Sequence, residues 1–426
     1  MPRPTESPML ARPAALRPVL AITSAGALSL AGYEMVRSAS SSVFLAHYPA
    51  SRLPEALMLV PLAMIAFTLL YSLVLRRIGP ASTFFLTLMG AAGVLALFAL
   101  AVRRRMPGSS LLLYVFSQAY IVFIVEEVWA FINSILIPGE GKRMNGLIIA
   151  LGTVGSVTGG VVTGKMSMRI GSERIVFLAA VLTAAAAVVG IAAFRLVRDR
   201  PQPTDPQPVR LADHFAWDLL RTEPTIGRLA LIVAAAQSVS VLLDIAFHRV
   251  LQGAIPLQDP RTAFLGYFWG GVNLFSLLLQ IVVCPLLLAR LPLRRIHGAI
   301  PILYGGAALV GFALPILPVL GAVFFLSKTV DYSLFRAAKE VLYIPLSFTA
   351  RYRAKMTVDA LIYRSTKGVT SALLALADRA FGLLPIRLFP VLVTLLCGVW
   401  RRFTRGLPEP PVSGTNSPEI LKDEKT

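Results

Sequence analysis

Arg364 and Lys367 stand three residues apart in an otherwise apolar stretch, with no acid between them. Residues i and i+3 of a helix share a face, so both cations point the same way. An ionised side chain at the centre of a bilayer costs on the order of 2.5–3.5 kcal/mol, and such residues turn to a protein interior or a watery cavity. Two cations on one face ask for an anion there, either an acid on a neighbouring helix or a bound solute, and the solute is the favoured reading. Arg37 and Glu34 share a face of another apolar run, and Asp244 lies within a third.

Other buried ions have local partners. Lys328 with Asp331 is an i,i+3 pair and Arg336 with Glu340 an i,i+4 pair, with Lys339 between. These are expected to act as gating or structural ion pairs. Glu126 and Glu127 adjoin Trp129 and precede Asn133. Neighbouring residues on a helix point about 100° apart, so only one of the two acids enters a central cavity. A carboxyl group there carries a proton or pairs with a cation, or else locks two helices together.

Several patterns carry no chemistry. Gly159 to Lys165 reads GGVVTGK, but Met166 stands where a phosphate loop needs Ser or Thr, and no strand precedes it. Gly155, Gly159, Gly160 and Gly164 instead form small-residue surfaces for helix packing. His47, His214, His248 and His297 have no metal-ligand spacing, and Cys284 and Cys397 each lie alone in apolar surroundings. No cofactor, no metal and no enzymatic constellation is expected.

The elements that position these residues follow from composition. Of 426 residues 56% are hydrophobic and 15% charged, and the mean hydropathy is +0.71, whereas soluble domains carry about 25% charged residues. A water-soluble enzyme is excluded. Apolar runs long enough to cross a bilayer fall at roughly 18–46, 53–75, 82–102, 110–137, 146–166, 174–195, 229–252, 263–289, 298–318, 319–346, 357–381 and 384–403. The first is read as a span and not as a secretory leader, because no small-x-small cleavage site follows it. The net charge of +19 comes largely from short basic runs beside these spans, such as Arg76-Arg77, Arg294-Arg295 and Arg401-Arg402, so it reports topology and not a nucleic-acid partner. With the N-terminus inside, 24 of the 41 Lys and Arg fall in the inner connections and 11 in the outer ones. This favours both termini in the cytoplasm, although Arg103 to Arg105 fall on the outer side.

The longest connection separates six spans from six. The expected architecture is an all-α membrane protein of twelve transmembrane helices in two six-helix halves, of major facilitator type, with substrate bound between the halves. The halves are 1–195 and 229–406, joined by a cytoplasmic linker 196–228 and followed by a disordered tail 407–426. Leu211, Phe215, Leu219 and Leu220 place a short surface helix in the linker.

The segment SLFRAAKEVLYIPLSFTARYRAKMTVDALIYRSTKG (333–368) resembles the ATP/ADP translocase family of nucleotide exchangers. The shared pattern is Ser333-Leu334-Phe335, Lys339-Glu340, Tyr343-Ile344-Pro345-Leu346, a basic loop with Arg351, Arg353 and Lys355, then Asp359, Arg364 and Lys367. Fainter echoes are Tyr33 and Arg37, then Glu127, Trp129, Asn133, Lys142 and Arg143, and Asp244 with Arg249 where the family has Glu and Lys. The resemblance implies exchange of a nucleotide or related phosphorylated anion in a bacterial inner membrane. Arg37, Glu127, Asp244, Arg364 and Lys367 would be the substrate contacts, with Tyr363 and Trp269 available to clamp a base. Where the family carries a lysine three residues after the first-span arginine, this chain has Ser40, which suits a smaller or less charged anion. Two other readings stand: a proton-coupled carrier with Glu126 or Glu127 as the proton site, and a non-transporting membrane sensor or assembly subunit that uses the linker.

Overall fold

A computed structural model of the chain describes residues 13–136, 138–197, 217–346 and 348–407. All regular elements among them are helices: α1 (Pro13–His47), α2 (Leu53–Arg103), α3 (Ser109–Ile135), α4 (Pro138–Ile170), α5 (Ser172–Arg195), the short α6 (Trp217–Thr222) and α7 (Pro224–Ala254). Next, α8 (Gln258–Leu278) runs through a π turn into α9 (Cys284–Arg290), and α10 (Leu293–Ala313) follows. A second π turn, Asp331–Phe335, joins α11 (Leu317–Val330) to α12 (Arg336–Leu342), and a third, Met356–Ile362, joins α13 (Phe348–Lys355) to α14 (Tyr363–Phe381). The last helix is α15 (Leu388–Thr404). Helices are what apolar runs must form in hydrocarbon, where no water satisfies a peptide group.

Nine of the described segments are long and apolar enough to cross a membrane, and that number takes α2 as one piece. Its 51 residues would stretch to about 77 Å if straight, over twice a hydrocarbon layer of ~30 Å. It breaks at Gly79, where φ is 76° and ψ 172°, a conformation glycine reaches without a Cβ penalty. Pro80 then opens the second limb with its φ already set for a first turn. The break falls between the apolar runs expected at 53–75 and 82–102. Besides the short α6 and α13, two longer helices stand outside the nine: α15 has 17 residues, and α14 carries Arg364, Lys367, Asp378 and Arg379.

Buried apolar side chains form two large clusters. One is drawn from α1 to α5 and includes Leu95, Ile124, Ile175 and Ala179. The other is drawn from α7 to α15 and includes Phe247, Phe324, Tyr304 and Trp400. The second also takes in Phe44, Leu53 and Leu57, so the end of α1 and the start of α2 belong to the core of the opposite helix set.

The glycines of α4 serve packing, as expected. Gly155 and Gly159 lie on the backbone of Ala27 and Ala31 in α1, and a Cβ on Gly160 would come within 2.7 Å of Gly266 O in α8. Of the surface helix expected in the linker, the described part is Trp217–Thr222, where Asp218 pairs with Arg353 of α13 at 2.8 Å. The rest of that expectation lies outside the described residues, as do 408–426 of the expected tail. Leu407 itself is buried.

Candidate functional site

Between the two helix sets lies a cavity of about 190 Å³. Helical spacing explains its lining. Tyr33, Arg37 and Ser41 come every four residues along α1, and Gln237, Ser240, Asp244 and His248 follow at three or four along α7. Lys328 and Tyr332 extend from α11 into the following π turn, and Tyr363, Arg364 and Lys367 share the first turns of α14. Of the substrate contacts expected from the sequence, Arg37, Asp244, Arg364 and Lys367 all line this cavity, as do Trp269 and Tyr363.

Arg37 is gripped from four directions. Its guanidinium carbon lies 3.2 Å from the centroid of a Trp269 ring and 5.8 Å from that of Tyr33. It donates to the Tyr332 hydroxyl at 3.1 Å, and Glu34 stands 3.6 Å away. Glu34 in turn accepts from Asn273 of α8 at 2.9 Å. Across the cavity, Asp244 accepts from His248 Nδ1 at 2.9 Å, and the Lys328 ammonium donates to Ser240. Lys367 lies in the combined field of Asp244, Lys328 and Arg37.

Three expectations need correction. Lys328 does not pair with Asp331: its ammonium turns to Ser240 of α7, and the carboxylate accepts from Tyr304 of α10 at 3.3 Å. Arg336 is exposed and does not meet Glu340, which pairs with Lys355. Glu127 does not line the cavity. It is buried against α2, accepts from Thr87 at 3.0 Å, and its second oxygen has no hydrogen-bond partner among the described residues. Its neighbour Glu126, turned the other way, lies in the field of Arg364.

The motif of 333–368 divides in two. Its first part is a clasp between α12, the turn after it, α13 and the π turn that follows α13: Lys339 pairs with Asp359 of that π turn at 2.7 Å, and the Tyr343 hydroxyl donates to the same carboxylate at 3.1 Å. Arg351 donates to the carbonyls of Tyr343, Ile344 and Leu346. Only the end of the motif, Tyr363 to Lys367, reaches the cavity. Arg249, likewise, is held by Asp378 at 2.6 Å, and the side chains of Lys142 and Arg143 lie outside the described residues.

No protein-family model matches the chain, and no curated protein matches it. Solved structures do. One is a bacterial homologue of the iron transporter ferroportin in an inward-facing state, 15% identical, with a TM-score of 0.65 over 91% of this chain and 99% of that one. Another is a point mutant of the nucleoside transporter NupG, 14% identical, with a TM-score of 0.63 over 91% and 99%. A third is an auto-inhibited peptide transporter of the POT family, 14% identical, with a TM-score of 0.64 over 92% and 98%. The fold is of major facilitator type.

In this major facilitator fold the cavity is sealed at one end. Among the described residues, the hydrogen bonds that cross from α1–α5 to α7–α15 lie mainly beside Arg37 or beyond it, where α1 ends and α2, α5 and α8 begin. Gln252 donates to the carbonyls of Leu45 and Tyr48 and accepts from Ala50 N. Arg261, fully buried, donates across to Ser42 and Leu45 O at 3.4 Å and, within its own set, to Pro256 O at 3.1 Å. Asp259 accepts from both N and Oγ of Ser172. Nothing in the sequence marked Gln252, Ser240 or Tyr332, because an uncharged side chain inside an apolar run carries no sign of what it will meet.

Proposed function

We propose that the chain is a membrane transporter that carries a small organic anion, a nucleotide or a related phosphorylated compound, by alternating access. One observation carries this reading: Arg37, Lys328, Arg364 and Lys367 converge on a single cavity whose only carboxylate among the described lining residues is Asp244. Among the described lining residues four cations face one carboxylate, and the acids just outside the lining, Glu34 beside Arg37 and Glu126 beside Arg364, offset them only in part. An anion placed there would be held by charge-assisted hydrogen bonds from groups on both helix sets.

Size narrows the class. Pockets for drug-sized ligands run to about 300–1,000 Å³, so a cavity of about 190 Å³ suits a phosphate with a small organic group better than a whole nucleoside triphosphate. Trp269 already has Arg37 on one face, whereas Tyr363 is 37% exposed and is the ring free to receive a base. A nucleotide substrate would require the cavity to widen at its unsealed end.

In this reading the two limbs of α2, together with α13–α14 and α15, bring the spans to twelve. Residues 1–195 and 229–406 rock against each other about the cavity, the linker 196–228 lies in the cytoplasm, and both termini face inward from an inner membrane. The sealed end then faces outward. Exchange or an ion gradient drives the cycle.

The test is uptake of labelled ATP, and separately of a labelled sugar phosphate, into liposomes preloaded with unlabelled substrate. Uptake that needs internal substrate and is lost in Lys367→Ala supports exchange. Absence of uptake of either anion by folded protein removes the reading. A proton-coupled carrier is the second reading, favoured by the buried Glu127 carboxyl with one oxygen unpartnered among the described residues. Flux that follows an imposed pH gradient, and loses that dependence in Glu127→Gln, would support it.

A further inference from the structure

A second cavity, of about 400 Å³, opens between the start of α10 and the end of α15, and it shares no lining residue with the central one. Arg294 and Arg295 reach it from α10, Arg401 and Arg405 from the end of α15. All four are exposed. Among the described residues no acid lines it, and Arg295, Arg401 and Arg405 form no ion pair there. The floor is Gly298 and Thr404. No side chain caps the N-terminus of α10, whose partial positive charge adds to the field.

Basic residues at membrane edges set topology, and for that purpose they need only be present in the connection. Here two basic pairs about a hundred residues apart in sequence are brought to the rim of one open cleft, and topology does not ask for that. The cavity is also amphiphilic. Ile302, one turn along α10 from Gly298, lines it and is 49% exposed, and beyond it Leu309 and Val310 are exposed as well. A ring of guanidinium groups at headgroup level above an apolar wall matches one class of molecule. Basic pockets between transmembrane helices hold anionic lipid headgroups in this way.

We propose that this cavity binds an anionic phospholipid. The phosphodiester is held by the planar forks of Arg295 and Arg401, which present paired N–H donors to phosphate oxygens, and an acyl chain lies against Ile302. The site is independent of the central cavity and of whatever that cavity carries.

Native mass spectrometry of the purified full chain tests it, with phosphatidylglycerol, phosphatidylcholine of the same acyl chains, and inorganic phosphate as probes. The expected result is one phosphatidylglycerol retained per chain in preference to phosphatidylcholine. Retention should fall on the order of tenfold or more in Arg295→Gln/Arg401→Gln and should be unchanged in Arg76→Gln/Arg77→Gln, which removes as much charge from another basic connection. Arg295→Lys/Arg401→Lys keeps the charge that topology needs and should still weaken retention, since a lysine offers no fork. Equal retention of the two lipids, an equal loss in the Arg76/Arg77 control, or inorganic phosphate displacing the lipid at millimolar concentration would each overturn the proposal.

Discussion

The Arg37 guanidinium lies 3.2 Å from the centroid of a Trp269 ring, so that a cation of α1 rests on an aromatic face of α8. The same guanidinium donates to Tyr332 in the turn between α11 and α12. Arg37 therefore belongs by sequence to one helix set and makes two of its four contacts, those with Trp269 and Tyr332, in the other. A desolvated cation–π contact contributes about 2 kcal/mol, enough to bias how the two sets sit. A substrate anion drawn to Arg37 would compete with these contacts, and that links occupancy of the cavity to movement of the helices.

Arg37→Lys should cut uptake into liposomes about tenfold or more at unchanged expression and size-exclusion profile. Lysine keeps the charge but is a compact ammonium with no planar face to stack on Trp269 and no fork to share between Tyr332 and an anion. Wild-type rates in this variant would show that charge alone is used at position 37.

Lys367→Ala should abolish uptake, and Asp244→Asn should act in the opposite sense on binding. Lys367 lies in the field of Asp244, so removing that carboxylate leaves the cavity one unit more positive. Anion affinity, read as displacement of a labelled ligand, should rise several-fold in Asp244→Asn while turnover falls, because a tighter resting complex is harder to empty. Weaker binding in Asp244→Asn would mean that the carboxylate positions the cations and does not oppose the substrate.

Charged residues inside apolar runs were legible in the sequence, their partners much less so. An ionised group in an apolar run is visible because its cost must be met somewhere, and Arg37, Asp244, Arg364 and Lys367 do reach one cavity. Partners chosen by local spacing failed where each side chain meets a neighbouring helix instead, as Lys328 and Asp331 do with Ser240 and Tyr304. Neighbouring positions on one helix were also misjudged: Ser40, where the resembled family has a lysine, is buried against Ser117 of α3 at 2.9 Å, whereas Ser41 lines the cavity. A one-residue shift rotates a side chain by about 100°, and the sequence holds no record of that rotation. The seal was hidden for a different reason, since Gln252 and Arg261 bond mainly to backbone carbonyls, which every residue has.

Arg261→Gln should loosen the sealed end. The arginine is fully buried and bonded to three oxygens, none of them a carboxylate, and loss of the two bonds that cross to α1, at about 0.5–1.5 kcal/mol each, would shift the open-to-closed ratio by roughly five- to a hundred-and-fiftyfold. Leu45→Cys provides the reporter, since Leu45 is buried at the seal and enters it through its backbone. Cys284 and Cys397 are both buried, so the background is low. A membrane-impermeant maleimide should label Leu45→Cys faster in the Arg261→Gln background, and equal rates would show that Gln252 and Asp259 hold the end without it.

Two adjacent glycines of α4 should separate folding from gating. Gly159 lies on Ala31 of α1, inside one helix set, whereas Gly160 lies on Gly266 and Gly270 of α8, across the two sets. Valine at 159 pushes α4 off its own neighbours, an overpacking that costs about 1–3 kcal/mol and should lower the midpoint of thermal unfolding in detergent. Valine at 160 leaves those contacts in place and obstructs only the approach of α8. Its unfolding midpoint should stay near that of the wild type while labelling of Leu45→Cys accelerates and uptake falls. If Gly160→Val unfolds as early as Gly159→Val and leaves labelling unchanged, the α4–α8 contact is a permanent part of the core, and the two sets do not separate along it.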